Sequence, residues 1–442
     1  GVRTALYSYL FAKKHGGDFL LRIEDTDTAR TVKGSEDVIF ESLAWCGITA
    51  DEGVKEGGPH SPYRQSERKD LYKKYAIELV ESGRAYYAFD TEEEIAKWRE
   101  KTASENNGIS KAYNFETRGE MRNSLTLSPT EVNDLLAKNT PAVIRLRVEP
   151  TDDITFHDII REEVSFKSAQ LDDRVLMKSD GMPTYHLANV IDDHFMEISH
   201  VIRGEEWLAS TPTHILLYRA FGWEQPKFAH LPLFLKPDGK GKLAKRDGDR
   251  LGFPVFCTRF INPDTGDITD GFREKGFERD AFVNFIAMLG WNDGTDRELF
   301  KMDDLIANFS LDRVHKAGAK FNFEKAIWFN QQYVKLKSID SLVAIAEPAI
   351  KAVNPNIDKD FIKKYCEIYR DRIDFTYQLS QVGKYMYSDI ESYDIDTLKK
   401  KWKPELEPFF NQFITALSSI EFDNADTIES FTKSKIEEAQ LG

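Results

Sequence analysis

An α/β region followed by an all-α region is the fold class this sequence predicts, on three observations. Helix and strand signals alternate through the N-terminal stretch. The same texture resumes after residue 178, on the far side of an interruption. Beyond Pro254 the strand signals thin out, and apolar residues recur at helical spacing.

Ala5, Leu6, Tyr9, Leu10 and Ala12 mark one face of a helix from Val2 to His15, which Gly16-Gly17 ends. Phe19 to Ile23 reads as a buried strand, and helices are expected at about Ser35–Trp45 and Glu67–Ser82. From residue 88 to 178 the sequence reads as an inserted α+β unit. Within it Thr91 with Glu94, and Ser128-Pro129 with Glu131, have the spacing of capping boxes. Ala142–Val148 alternates as a half-exposed strand with its arginines, Arg145 and Arg147, on one face. That face is either a solvated sheet surface or a contact for RNA phosphate. Val175–Lys178 is a short strand, Ser179-Asp180-Gly181 a turn, and Tyr185–Val190 the start of a helix. Ser210-Thr211-Pro212 caps another helix that ends at Gly222. Helical periods then cover Ala281–Leu289, Leu305–Phe309, Leu342–Val353 and Phe361–Tyr377.

Composition restricts function. At 442 residues, 41% hydrophobic and 30% charged, the chain has material for several buried cores. No run approaches the ~18 apolar residues of a membrane span, and no signal core opens the chain, so a cytoplasmic protein is expected. A net charge of −14 excludes nucleic acid coating the whole surface, so any RNA contact must be local. The densest basic run, Lys399-Lys400-Lys401-Trp402-Lys403, is either a solvated helix face or such a contact. Cys46, Cys257 and Cys366 lie too far apart in sequence for a disulfide framework or a zinc knuckle, and are read as reduced. No metal-ligand cluster is expected.

The chemistry concentrates in a few stretches. Glu24-Asp25-Thr26-Asp27 sits at the carboxyl end of the first predicted strand, where α/β sheets place their ligand crevice. Arg203 offers a planar fork for a carboxylate, and Tyr185 and Asn189 offer hydrogen bonds to a second polar end. Glu24 could take an ammonium group, so together these residues suit an amino acid. Lys242 and Lys245 lie three apart in a loop that glycines 239 and 241 allow to close. Two fixed ammonium groups there suit chemistry at the α-phosphate of ATP, where charge develops on departing pyrophosphate. Singly, each stretch also has a plain reading: a surface pair for Arg203 with Glu205, a core-edge phenol for Tyr185, a helix cap for Glu24–Asp27, a basic surface loop for the lysines. His186, beside Leu187, reads as packing.

The ordered set LLRIEDTD, YRQSER, PTYHLANVIDDH, VIRGEEW, YRAFGW and HLPLFLKPDGKGKLAKRDGD resembles bacterial glutamyl-tRNA synthetase, a class I aminoacyl-tRNA synthetase, across essentially the whole chain. The continuation through GDRLGFPVF, LGWNDGT and AKFNFEKAIWFN is similar to the bacterial form with a helical anticodon-binding region, where a eukaryotic-type glutaminyl enzyme would continue into β-barrels. The resemblance implies a Rossmann-like catalytic domain in two halves, 1–87, with its first strand missing, and 179–236. It further implies an inserted acceptor-end-binding domain at 88–178, a signature loop with a stem-contact domain at 237–334, and an incomplete helical anticodon-binding domain at 335–442. The implied reaction is ATP-dependent activation of L-glutamate with Mg2+, followed by transfer to the terminal ribose of tRNA(Glu), with tRNA(Gln) left open, in a monomer that needs tRNA bound first.

By the same resemblance Glu24, Tyr185, Asn189 and Arg203 hold glutamate, and Lys242 and Lys245 act at the phosphates. Glu206, Trp207 and the backbone of Leu233, Phe234 and Leu235, with Lys245, hold the nucleotide. Ala244 stands where the family usually has serine, which predicts a modest rate loss. Gly1-Val2-Arg3-Thr4-Ala5 looks like the residues just after the family's His-x-Gly-His-like signature, and Ala439–Gly442 like the middle of its last bundle. A fragment trimmed at both ends is therefore expected, which puts its own catalysis in question. The alternatives are a non-catalytic tRNA- or nucleotide-binding paralogue, a short glutamyl transferase acting on a modified anticodon base, and a generic nucleotidyltransferase.

Overall fold

In the computed structural model, which describes residues 1–27, 34–244, 247–248, 250, 252–263, 265–390, 392–418, 420 and 424–440, the chain opens with helix α1 (Val2–Lys14). Leu6, Tyr7 and Leu10 fall on one helical stripe and are fully buried. Their partners lie far along the chain: the Tyr7 hydroxyl donates to the carbonyl of Ala287 at 2.9 Å. Strand β1 (Leu20–Leu21) runs parallel to β2 (Glu52–Gly53), reached through α2 (Ser35–Trp45). The strand expected over Phe19–Ile23 is this short because the backbone changes partner. Ile23 donates to Tyr63 at 2.9 Å and accepts from Gln65 at 3.0 Å, bridging Arg64 instead of continuing along β2. A 3-10 turn over Gln65–Arg68 precedes α3 (Lys69–Glu81), so the helix read from Glu67 begins slightly later.

Between β3 (Ala85–Ala88) and β4 (Val143–Leu146) lie α4 (Glu92–Glu105) and α5 (Pro129–Ala137), both opened by the expected capping boxes. The hairpin β5 (Asp153–Asp158) and β6 (Glu162–Lys167) and then β7 (Val175–Met177) follow. Next come α6 (Tyr185–Phe195), β8 (His200–Gly204), α7 (Thr211–Phe221) and β9 (Lys227–Leu231). Gly222 takes the left-handed conformation, φ 69°, that closes α7.

Two sheets result. An antiparallel one has the order β3-β4-β7, and a mixed one has the order β6-β5-β9-β8 with β5, β9 and β8 parallel. The stretch 88–178 is therefore interleaved with the rest, because β5 joins the parallel sheet and β4 shares a core with α3, α6 and α7. That position also corrects the half-exposed reading of Ala142–Val148. Both faces of β4 are covered, since Ile144, Arg145 and Leu146 are all buried, and the Arg145 guanidinium lies 3.9 Å from the centre of the Tyr113 ring. Arg147 is exposed and pairs with Glu149 at 2.6 Å.

Beyond the sheets, β10 (Phe234–Leu235) pairs in parallel with Ala319–Lys320, and helices Arg279–Met288 and Met302–Asn308 pack against α1. The helix expected from Phe361 to Tyr377 stops at Tyr369. The chain then breaks into 3-10 turns, because Asp374 is held across the fold, its carbonyl accepting from Asn330 Nδ2 at 2.6 Å, while Phe375 packs on Phe277. The helices Ile339–Val353 and Lys359–Tyr369 share a core of their own around Leu342, Ile350, Ile362 and Tyr365. All three cysteines are free, and among the described residues no helix is long and apolar enough to cross a membrane.

Candidate active site

The carboxyl ends of β1 and β8, the amino end of α6 and the approach to β10 open into one cavity of about 2090 Å3. Glu24, Tyr185, Asn189, Arg203, Glu206, Trp207, Leu233, Phe234 and Lys242 all line it. Leu235 does not, since its side chain packs towards Gly318. Lys245 lies outside the described residues. Residues read separately along the sequence thus meet at one place, at the carboxyl ends of β1 and β8.

Arg203, next to last in β8, is held on nearly every side. Its Nε donates to His230 Nε2 at 3.1 Å, Nη1 to the Tyr185 hydroxyl at 2.6 Å, and Nη2 to Thr211 Oγ1 at 2.9 Å and to the Trp207 carbonyl at 3.4 Å. A guanidinium carries five N–H groups, so one on Nη1 has no partner among the described residues. Tyr185 accepts from Arg203 and keeps its own proton, since burial pushes its pKa up to about 12 against the pull of Arg203. The Asn189 carbonyl accepts from Gln65 Nε2 at 3.2 Å and from Arg22 Nη2 at 3.5 Å, which turns the amide's N–H2 towards the Tyr185 hydroxyl. The result is a head of hydrogen-bond donors: a guanidinium N–H, a phenol and an amide.

Glu24 stands across from this head, with one oxygen 3.2 Å from Arg22 Nη2. Arg22 is in turn fixed by Asp193 at 2.9 Å. At the other end of the cavity Glu206 Oε1 lies 3.0 Å from Lys242 Nζ. Burial pushes the Glu206 carboxyl up, but its own backbone N–H and the Lys242 ammonium outweigh this and hold it below its ordinary value. Lys242 bridges Leu235 across a hairpin that Gly239 closes at φ 77°, a left-handed conformation glycine adopts without strain.

The structure adds residues that the sequence reading passed over. Arg3, buried in the first turn of α1, donates to the carbonyls of Leu289, at 3.1 Å, and Pro232, and its guanidinium lies 4.0 Å from the centre of the Phe234 ring. Those partners are 286 and 229 residues away, so no local pattern could reveal them. Asp158, His230 and Thr211 stand behind Arg203, outside the cavity lining. His186 also lies outside it, with Nδ1 3.2 Å from His214 Nε2.

Residues 1–328 match the family of tRNA synthetases class I (E and Q), catalytic domain, and residues 341–442 match an anticodon binding domain. The chain belongs to this class I glutamyl and glutaminyl tRNA synthetase family. Among its relatives, a glutamate–tRNA ligase of Phocaeicola vulgatus is 49% identical over 97% of this chain and 85% of its own length. One from Porphyromonas gingivalis is 49% identical over 99% of this chain and 86% of its own. A crystal structure of a glutamate tRNA ligase from Elizabethkingia meningosepticum in complex with its amino acid superposes with a TM-score of 0.92 at 47% identity, covering all of this chain and 87% of that one.

Proposed function

We propose that this chain is a glutamate–tRNA ligase that activates L-glutamate with ATP and transfers it to the terminal ribose of tRNA(Glu). One observation carries the choice of amino acid: the unpartnered N–H of Arg203, the Tyr185 hydroxyl and the Asn189 amide converge as donors on one end of the cavity. An ionised carboxylate accepts from all three, whereas the amide of glutamine would turn its own N–H2 towards donors. The Glu24 carboxylate receives the substrate ammonium, which leaves the α-carboxylate directed towards Lys242.

Glu206, Trp207 and the stretch Leu233–Leu235 hold the nucleotide, with Lys245 joining Lys242 at the phosphates. The carbonyls of Leu233, Phe234 and Leu235 accept from Ala319, Leu243 and Phe321, which fixes the backbone of this stretch and leaves each oxygen a second lone pair. Among the described residues no group of three or more histidine, cysteine or carboxylate side chains stands together to cage a metal. Mg2+ bound to the ATP phosphates would supply further positive charge there. The protein's contribution is positioning and electrostatic stabilisation. The α-carboxylate attacks the α-phosphorus, pyrophosphate leaves towards the lysines, and the ribose hydroxyl of tRNA then displaces AMP from the acyl group.

The division into catalytic halves 1–87 and 179–236, acceptor-end unit 88–178, stem-contact segment 237–334 and anticodon-binding helices 335–442 is part of this reading. So are a monomer, a cytoplasmic site of action, and tRNA(Gln) as a second acceptor to be tested. The anticodon-binding match over 341–442 favours a ligase over a short transferase without that region.

ATP–pyrophosphate exchange tests the reading, measured with glutamate, glutamine or neither, each with and without bacterial tRNA. Exchange that requires both glutamate and tRNA is expected. Exchange indifferent to glutamate would overturn the choice of substrate, and tRNA binding with no exchange would favour a binding-only paralogue.

A further inference from the structure

The buried pair Asp158 and His230 touches no part of the cavity, yet it ends on the residue that faces the substrate. Asp158, the last residue of β5, is fully buried, and its Oδ1 accepts from the backbone N–H groups of Ile160 at 3.0 Å, Arg161 at 2.9 Å and His230 at 3.3 Å. Its Oδ2 lies 2.6 Å from His230 Nδ1. Burial would push this carboxyl up, but the hydrogen bonds from His230 and the backbone outweigh it, and the group stays ionised. An ionised acceptor on Nδ1 requires Nδ1 to carry the proton, so Nε2 presents a lone pair. That lone pair faces Arg203 Nε at 3.1 Å.

The alignment has a source in the sheet. Arg203 on β8 is in register with His230 on β9, and Asp158 is in register with Phe228 two residues earlier on the same strand. Three neighbouring strands thus place carboxylate, imidazole and guanidinium in a row that leads from the buried sheet to the cavity. We propose that Asp158 and His230 are positioning residues for the carboxylate-binding guanidinium, fixing its Nε edge so that a free Nη1 N–H points into the substrate head.

Without the lone pair on Nε2, the planar guanidinium can swing about its Cδ–Nε bond and its approach to Tyr185 and Thr211 relaxes. Ordering it on binding would then reduce affinity for glutamate. This inference rests on the assignment of Arg203 to the glutamate side chain.

Two near-isosteric amides test it. The oxygen of glutamine can occupy the place of Nε2, whereas asparagine reaches only as far as Nδ1. Glutamate binding by calorimetry is therefore compared for the parent chain, His230→Gln, His230→Asn and Arg203→Gln, with thermal unfolding as the check on folding. We expect His230→Asn to weaken glutamate binding about tenfold and His230→Gln to restore most of that loss at a comparable melting temperature. Asparagine and glutamine variants with equal affinities would overturn the positioning role, provided Arg203→Gln still loses binding. Unchanged binding in Arg203→Gln would overturn the assignment of Arg203 itself, and this inference with it.

Discussion

Lys242 illustrates how a residue can be free for chemistry while it is paired. Its partner Glu206 is 3.0 Å away, but both side chains are about half exposed, at 53% and 41%. Solvent-exposed pairs of this kind contribute about 0–1 kcal/mol, so the phosphates of a nucleotide can displace the carboxylate at little cost. Lys242→Ala is therefore expected to change unfolding free energy by less than about 1 kcal/mol and to slow exchange by about 100-fold, the usual loss for one electrostatic donor. A change in stability with unaltered exchange would contradict that role. The histidines behind the substrate head behave differently. Burial, with Arg174 and Arg203 nearby, pushes His186 down to about 4, and burial also lowers His214 and His230. The unfolded chain binds protons on these rings below its ordinary histidine pKa, while the folded chain does not, so stability rises with pH across that window. Stability present above about pH 6.5 is expected to be lost as pH falls towards 4, at up to about 1.4 kcal/mol per pH unit for each histidine. Urea midpoints from pH 7 to pH 5 would measure it, and His186→Asn should flatten the slope.

At the level of elements, local rules and long-range packing divided the outcome. Capping boxes depend on side chains three residues apart, and both form as the sequence indicates, with Glu94 N donating to Thr91 Oγ1 at 3.2 Å and Thr91 N to Glu94 Oε2 at 2.7 Å. Thr91→Ala is expected to cost α4 about 1 kcal/mol, seen as faster hydrogen exchange over its first turn with glutamate binding unchanged. An altered affinity would mean that α4 reaches the site. The strand β4 shows the other case. Alternation in Ala142–Val148 suggested one wet face, but Ile144, Arg145 and Leu146 are all buried, and Arg145 stacks on Tyr113 and is not available to RNA. Periodicity reports the pleat, while what packs on each face is decided by the tertiary fold.

At the scale of the molecule, Asp192 on α6 is the clearest structural keystone. It is fully buried, and its carboxylate accepts from Arg68 Nε at 2.8 Å, Tyr72 Oη at 2.8 Å and Gln65 Nε2 at 3.0 Å, with Arg22 Nε at 3.8 Å. It therefore joins α3, the turn before it and the end of β1 beneath the cavity. Asp192→Ala takes from the buried Arg68 guanidinium its carboxylate partner and from the buried Tyr72 hydroxyl its acceptor, and a loss of about 3–5 kcal/mol in unfolding free energy is expected by denaturant titration. A loss below about 1 kcal/mol would show that Asp193 and solvent compensate.

The sequence by itself determined the capped helices, the family and the chemically distinctive side chains of the cavity, because these depend on residue type and short spacing. Glu24, Tyr185, Asn189, Arg203 and Lys242 were legible as chemically apt side chains at a strand end, a helix start and a glycine-flanked loop, and Glu206 and Trp207 through the family resemblance. Only the tertiary structure decided what holds them. Arg3 on Leu289 and Pro232, Asp158 and His230 behind Arg203, and Arg22 between Glu24 and Asp193 join segments far apart in the chain. Such pairings follow from strand register and parallel crossover, and a one-dimensional pattern carries no information about which distant residues the closed sheet brings within hydrogen-bonding distance.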